Sequence, residues 1–352
     1  MIWIQFAILL MAILIGARMK GIGLGVMGMV ALMIFVFVFR MAPADPPIDV
    51  MLIILSVVST AATLQAAGGM EYMVRLAEKV LRSKPSLIVL IAPFTTFVFS
   101  VFAGTAHITY SLLPIIAEVS TKKRIRPKRA LSISVIASHL AVTASPISAA
   151  TAALVSILGG AVSLPQVIMV SIPACIVGIL CGVAVCWKKG VELEKDPVFL
   201  EKMKDPEFAR SIDLDTSATR EPLKPGAKTA VAIFGLAVLL IVLVGAFPKM
   251  LPTFEPGHAN LAINNLGNIK MAAMIELIML SAAAAIMIFT KTTAEAVSKA
   301  SLFTAGAVAV ISVFGVVWMS ATFMQTNQVI IEAPWAIWCA PRHGRLPSPS
   351  SS

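Results

Sequence analysis

Residues 87–117 read LIVLIAPFTTFVFSVFAGTAHITYSLLPIIA, thirty-one positions without Asp, Glu, Lys or Arg. As one straight α-helix this run would be about 46 Å long at 1.5 Å per residue. The hydrocarbon core of a bilayer is only about 30 Å thick. Gly104 stands near the middle of the run, where a backbone free of Cβ permits a tight turn. Residues 130–160 form a second uncharged run of the same length, with Pro146 near its middle. Proline removes an N–H and unwinds a helix locally. Each run is therefore expected to be a broken helix or a re-entrant hairpin, since irregular backbone is tolerated at membrane depth only where protein or a cavity satisfies it.

The rest of the chain sets these two runs in a membrane. Of 352 residues, 58% are hydrophobic and 13% charged, about half the charge of a soluble domain. That excludes a soluble globular enzyme, a disordered chain and a collagen-like fibre. Further apolar runs cover residues 2–17, 21–39, 50–70, 165–187, 229–247, 271–290 and 300–324. Residues 2–17 lack the basic start of a signal peptide, so they are expected to be the first span. Pro43, Pro46 and Pro47 end the second run. In 71–86, Met73, Leu76, Ala77 and Val80 recur at helical spacing opposite Glu78, Lys79 and Arg82, the pattern of an interfacial amphipathic helix. The fold class is all-α: a polytopic transmembrane helical protein of transporter type with broken helices or re-entrant hairpins. Its parts are an N-terminal transmembrane half (1–187), a polar loop (188–228), the start of a second half (229–325) and an atypical tail (326–352). The Pro/Ser-rich end of that tail is expected to be disordered.

Charge sets the orientation. The net charge is +10, yet no basic stripe carries interleaved aromatics, so nucleic acid is not the expected partner. The basic residues lie in loops and meet lipid head groups instead. If 87–117 returns to the side it left, 23 loop Lys and Arg residues fall on one side and 3 on the other. A single crossing would put the six basic residues of 118–129 on the wrong side. The four cysteines show no CxxC spacing, and no catalytic, nucleotide or metal motif is present, so neither enzyme chemistry nor a cofactor is expected.

Three constellations remain. At the first break, Gly104, Thr105 and His107 could expose backbone N–H groups at a half-helix N-terminus, an anion site; a packed turn with a neutral histidine is the plainer alternative. At the second, Thr143, Ser145 and Ser148 flank Pro146 and could line a substrate site, or could simply bond the carbonyls freed by the kink. In the basic cluster 122–129, Arg126 stands before Pro127, and a guanidinium matches a carboxylate bidentately. Arg82 is a second candidate anchor. Glu276, an acid within 271–290, would instead suit an ion antiporter.

At GAR (16–18), ATLQAAGG (62–69), EKVLRSKP (78–85), GTAHITYSLLPII (104–116), IRPKR (125–129) and TASPISAA (143–150) the chain resembles the Dcu-type anaerobic C4-dicarboxylate transporters of bacterial inner membranes. The resemblance implies antiport of fumarate, malate or aspartate against succinate in anaerobic respiration. It also implies a transport role for Arg126, then Arg82, and paired re-entrant hairpins. A membrane sensor kinase or a second copy of the chain is a possible partner. Family members usually continue through further spans. Here the Pro341–Arg345 segment and a serine tail follow, so a truncated product, inactive or acting only beside a sensor, is the alternative.

Overall fold

The computed structural model describes residues 1–148, 150–151, 154–155, 162–205, 222–247, 250–255, 260, 262–264 and 267–339, with side chains through residue 331. Among the described residues there is no strand, only two isolated bridges between 253 and 269. Seven helices among the described residues are long and apolar enough to cross a bilayer. The chain divides into two compact units, Met1–Ile48 with the chain from Val308 onward, and Asp49–Ala307.

The first unit holds α1 (Ile2–Met19), α2 (Gly23–Phe37) and most of α13 (Ser301–Cys339). Lys20 and Gly21, both with positive φ, turn α1 into α2. A Cβ at Gly16 would lie 2.7 Å from the Leu24 Cα, and one at Gly28 would lie 2.6 Å from the Gly315 carbonyl carbon. Lipid gives helices no hydrophobic reason to associate, so such small-residue contacts do the packing. The Pro-rich segment is held by Thr322 Oγ1, which accepts from the Ala44 N–H at 3.0 Å, and by Trp318 Nε1, which donates to the Ala44 carbonyl.

The sequence placed the last span at 300–324 and a tail from 326. The helix instead runs on through Cys339. No Gly or Pro interrupts residues 316–333, and the polar Asn327 is buried, donating to Gln5 Oε1 at 3.0 Å. Asn327, beyond the expected end of the span, is thus tied to a neighbouring helix by a hydrogen bond. The Pro/Ser-rich end, 340–352, lies outside the described residues.

The second unit contains α3 (Ile48–Ala66), α4 (Gly69–Ser83), α5 (Ile88–Ala103), α6 (Ile108–Lys122), α7 (Pro127–Ala144), α8 (Leu164–Cys186), α9 (Pro197–Lys202), α10 (Ala227–Ala246), α11 (Met271–Thr290) and α12 (Ala294–Ser298). The run 87–117 breaks at Gly104, whose φ of 69° ends α5. Arg82, just before α5, meets Glu118 of α6 at 3.1 Å. Had α6 continued along α5, these groups would stand roughly 40 Å apart. The run is a hairpin, although Pro85–Ala103 has the composition of a full span.

α7 runs parallel to α5. Thr96 Oγ1 donates to the Ser134 carbonyl at 3.2 Å, and Ser145 Oγ donates to the Val101 carbonyl at 2.7 Å. α8 returns antiparallel to α7: Arg129 bonds to residues 187–190 at one end, and Cys175 Sγ lies 3.7 Å from Thr143 Oγ1. Cys175 is the middle residue of α8. The hairpin tip and the α7 break therefore sit at mid-height of a full span. Residues 149, 152–153 and 156–160 of the second run lie outside the described residues.

Arg82–Glu118, Arg126–Asp196 and Arg129–Glu192 tie the segments around 71–86, 118–129 and 188–205 together at one end. At the other end, a Cβ on Gly245 would touch Pro165, the start of α8.

Candidate functional site

The hairpin tip opens on a cavity of about 660 Å³ lined by Gln65, Gly68, Met70, Glu71, Val74, His107, Ile108, Tyr110, Ser111, Lys224, Ser301 and Leu302. That volume lies within the range of small-molecule sites, roughly 300–1,000 Å³. Three elements shape it. α6 starts there, with His107 at its N-cap and Ile108, Tyr110 and Ser111 in its first turns. The first N–H groups of a helix carry about half a positive charge. α3 ends there, and α4 begins after Gly68, whose φ of 81° turns the chain. Gln65 fixes the lower wall: its Nε2 donates to Ser301 Oγ at 2.9 Å, and its Oε1 accepts from the Leu302 N–H at 3.2 Å.

Lys224 enters from the end of the polar loop. Its Nζ donates to the Ala66 carbonyl at 2.8 Å, capping the negative end of α3. An ammonium has three donors, and this bond uses one. Glu71, the acid in the lining, is paired with Arg75 at 2.9 Å. The described cavity thus combines a lysine, a helix N-terminus and hydroxyl groups, with its carboxylate already engaged.

The sequence candidates fall into three groups. Thr105 and His107 meet at the tip, Oγ1 to Nδ1 at 2.6 Å, and His107 lines the cavity. Gly104, Thr143, Ser145 and Ser148 belong to the joint between the two breaks. A Cβ on Gly104 would lie 2.9 Å from Ile147 Cγ1. Ser145 and Ser148 are fully buried. Ser148 Oγ lies 3.0 Å from Thr151 Oγ1 and accepts from the Thr151 N–H at 3.1 Å, while Thr143 Oγ1 donates back to the Leu140 carbonyl at 2.7 Å. Each of these hydroxyls is engaged within the protein, and the Val142 carbonyl, four residues before Pro146, accepts from Thr151 Oγ1 at 3.3 Å.

The two arginines form the third group, and neither is among the residues lining the cavity. Arg126 Nη1 donates to the Val191 carbonyl at 3.0 Å and to Asp196 at 3.3 Å. Arg82 bonds Glu78 at 2.9 Å and Glu118 at 3.1 Å. Burial alone would lower its pKa, but the Glu78 hydrogen bond and the Glu118 charge outweigh that and raise it. Glu276 is half-buried on α11 and does not line the cavity either.

Sequence reasoning missed Lys224, Glu71 and Ser301 as cavity residues. Lys224 was one of nine basic residues in a polar loop. Its signal was position, directly before Pro225-Gly226 and the apolar run that follows.

The family described as "Anaerobic c4-dicarboxylate membrane transporter" matches residues 1–339. The chain is 35% identical to the anaerobic C4-dicarboxylate transporter DcuB of Escherichia coli O6:H1 over 349 residues, covering 95% of this chain and 76% of that protein. It is 34% identical to the C4-dicarboxylate transporter DcuA of Wolinella succinogenes over 337 residues, covering 93% and 72%. With DcuA of Escherichia coli K12 it shares 32% identity over 350 residues, covering 96% and 77%. The chain is a multi-pass membrane transport protein rather than an enzyme, and it belongs to the anaerobic C4-dicarboxylate membrane transporter family.

Proposed function

We propose that this chain exchanges C4-dicarboxylates, taking fumarate, malate or aspartate inward against succinate outward, across the bacterial inner membrane in anaerobic respiration. The observation that carries this reading is one cavity lined by both Lys224 and the N-terminus of α6. A dicarboxylate needs two anion-binding points, and a lysine and a helix N-terminus are both suited to carboxylate oxygens. The cavity lies at the end of a hairpin that stops at mid-height of the neighbouring span, the placement alternating access requires. In this reading His107 forms the wall facing substrate, with Thr105 bonded beside it and Gly104 packed into the joint. Thr143, Ser145 and Ser148 hold that wall against α7. Arg126 and Arg82 brace the basic end rather than anchor substrate.

The test is counterflow in proteoliposomes holding this chain: labelled succinate outside, unlabelled fumarate inside. Rapid trans-stimulated uptake is expected. Lys224→Arg should retain it, and Lys224→Met should lower apparent affinity by about 10- to 100-fold, the worth of a charge-assisted bond. Inserted, folded wild-type protein with no succinate–fumarate exchange would overturn the proposal.

A further inference from the structure

Thr105 makes two bonds to one histidine. Its Oγ1 lies 2.6 Å from His107 Nδ1 and accepts from the His107 backbone N–H at 3.3 Å. With that N–H on one lone pair of the oxygen, the hydroxyl proton is free to be donated to Nδ1. A neutral imidazole that accepts at one ring nitrogen carries its proton on the other. The short O···N distance suits an O–H donor. The ring is held further by Tyr110, whose ring stands edge-on with centroids 6.0 Å apart. His107 is exposed and lines the cavity, so its Nε2 is the ring atom left for a ligand.

We infer that Thr105 locks His107 in the tautomer that offers Nε2–H to the cavity, making His107 the donor for one carboxylate of the substrate and Thr105 its positioning residue. This rests on the proposed dicarboxylate exchange. The division of labour follows from the chemistry of the lining. Lys224 is a point charge on a flexible stem, already donating to the Ala66 carbonyl. His107 is a fixed, directional donor on the tip itself. A ligand with two carboxylates can engage both, whereas one with a single carboxylate satisfies only one. The pair therefore sets selectivity for diacids over monoacids of similar length.

Four variants separate this role from a structural one, read by succinate counterflow and by inhibition with butyrate, a four-carbon monoacid. His107→Leu is expected to raise the half-saturation concentration for succinate about 10- to 100-fold, with maximal rate within about twofold and weak butyrate inhibition unchanged. His107→Gln, which keeps an N–H donor at a similar reach, should recover most of the loss. Thr105→Val, nearly isosteric but without the hydroxyl, should raise the succinate value less than His107→Leu does, and Thr105→Ser should restore it. Nitrogen-15 NMR of histidine-labelled wild type should show the Nε2–H tautomer for the signal that His107→Gln removes, which gives a readout even if a variant inserts poorly. Wild-type exchange with His107→Leu unchanged in half-saturation, or a His107 signal of the Nδ1–H tautomer, would overturn the inference alone. Absent wild-type exchange would overturn the dicarboxylate reading beneath it.

Discussion

Ser145 Oγ donates to the Val101 carbonyl at 2.7 Å, a bond from the break in α7 to the last turn of α5. Val101 precedes the hairpin tip, and Ser145 precedes Pro146. Two interruptions 41 residues apart are therefore one joint, closed by Ile147 against Gly104. Both Ser145 and Ile147 are fully buried. Ser145→Ala leaves the Val101 carbonyl without this donor in a dry site, a loss of about 1–3 kcal/mol. Thermal unfolding in detergent should show it, and Ser145→Thr should lose less if the extra methyl is accommodated. An unchanged midpoint in Ser145→Ala would mean the joint does not depend on this bond.

Gly104 supplies the other half of that joint. Its φ of 69° is the left-handed region, and an added Cβ would meet Ile147 at 2.9 and 3.1 Å. Gly104→Ala is expected to cost about 1–2 kcal/mol from backbone conformation alone, with crowding added. The two parts can be separated. Ile147→Ala removes both contacting atoms, so it should cost less in the Gly104→Ala background than in the wild type, the difference being the steric part. If the two costs are equal, the crowding against Ile147 is not what limits this position.

How much of this was legible depends on which physical constraint acted. The hairpin could be read because bilayer thickness limits any uncharged run, and 87–117 exceeds that limit whatever its neighbours do. The common end of the basic loops could be read because charge sorts across a membrane. The joint at Gly104 and Ser145 could be read only as two separate breaks, since a long-range hydrogen bond leaves no local period. Lys224 was illegible for the same reason: its partner, Ala66, lies 158 residues away. Arg126 and Arg129 are alike in sequence, and only folding distinguishes them. The continuation of α13 past residue 324 was illegible in the same way, since Asn327 finds its partner, Gln5, 322 residues away.

That distinction gives a sharp comparison within one cluster. Arg129 is buried, with 6% of its side chain exposed. Its Nε donates to the Lys189 carbonyl at 2.8 Å, Nη2 to the Gly190 carbonyl at 2.8 Å and Nη1 to the Trp187 carbonyl at 3.1 Å, and it also pairs with Glu192. One guanidinium thus collects the carbonyls that follow α8, an arrangement lysine cannot copy. Arg126 makes a more open pair with Asp196, with 34% of its side chain exposed. Arg129→Ala should destabilise by about 3–5 kcal/mol, as loss of a buried ion-pair partner does. Arg126→Ala should cost no more than about 1 kcal/mol. Limited proteolysis between 188 and 205 should accelerate strongly in the first and little in the second. Equal acceleration in both would remove Arg129 as the clamp.

The hairpin base makes a prediction with a pH sign. Arg82 joins α4 to α6 through Glu78 at 2.9 Å and Glu118 at 3.1 Å, and Lys122 also reaches Glu118 at 2.9 Å. Because the folded pKa of Arg82 is raised, its contribution is complete below the ordinary arginine value and is lost only as pH rises through the still higher folded value. The wild-type base should therefore hold unchanged from neutral pH to about pH 10, since arginine stays charged throughout. Arg82→Lys keeps the charge but replaces the fork with a group whose ordinary pKa is about 10.4. Between the same two carboxylates that lysine should also be shifted upward, so its contribution is full at pH 8 and declines above about pH 10.5. Thermal midpoints of the two proteins should run parallel from pH 7 to 9 and diverge beyond, with the lysine variant falling faster. Parallel curves to pH 11.5 would show that the ion pair does not hold the base. In the reversed pair, Arg82→Glu with Glu118→Arg, partial recovery over either single change is expected, because Glu78 would then face a second carboxylate on its own helix.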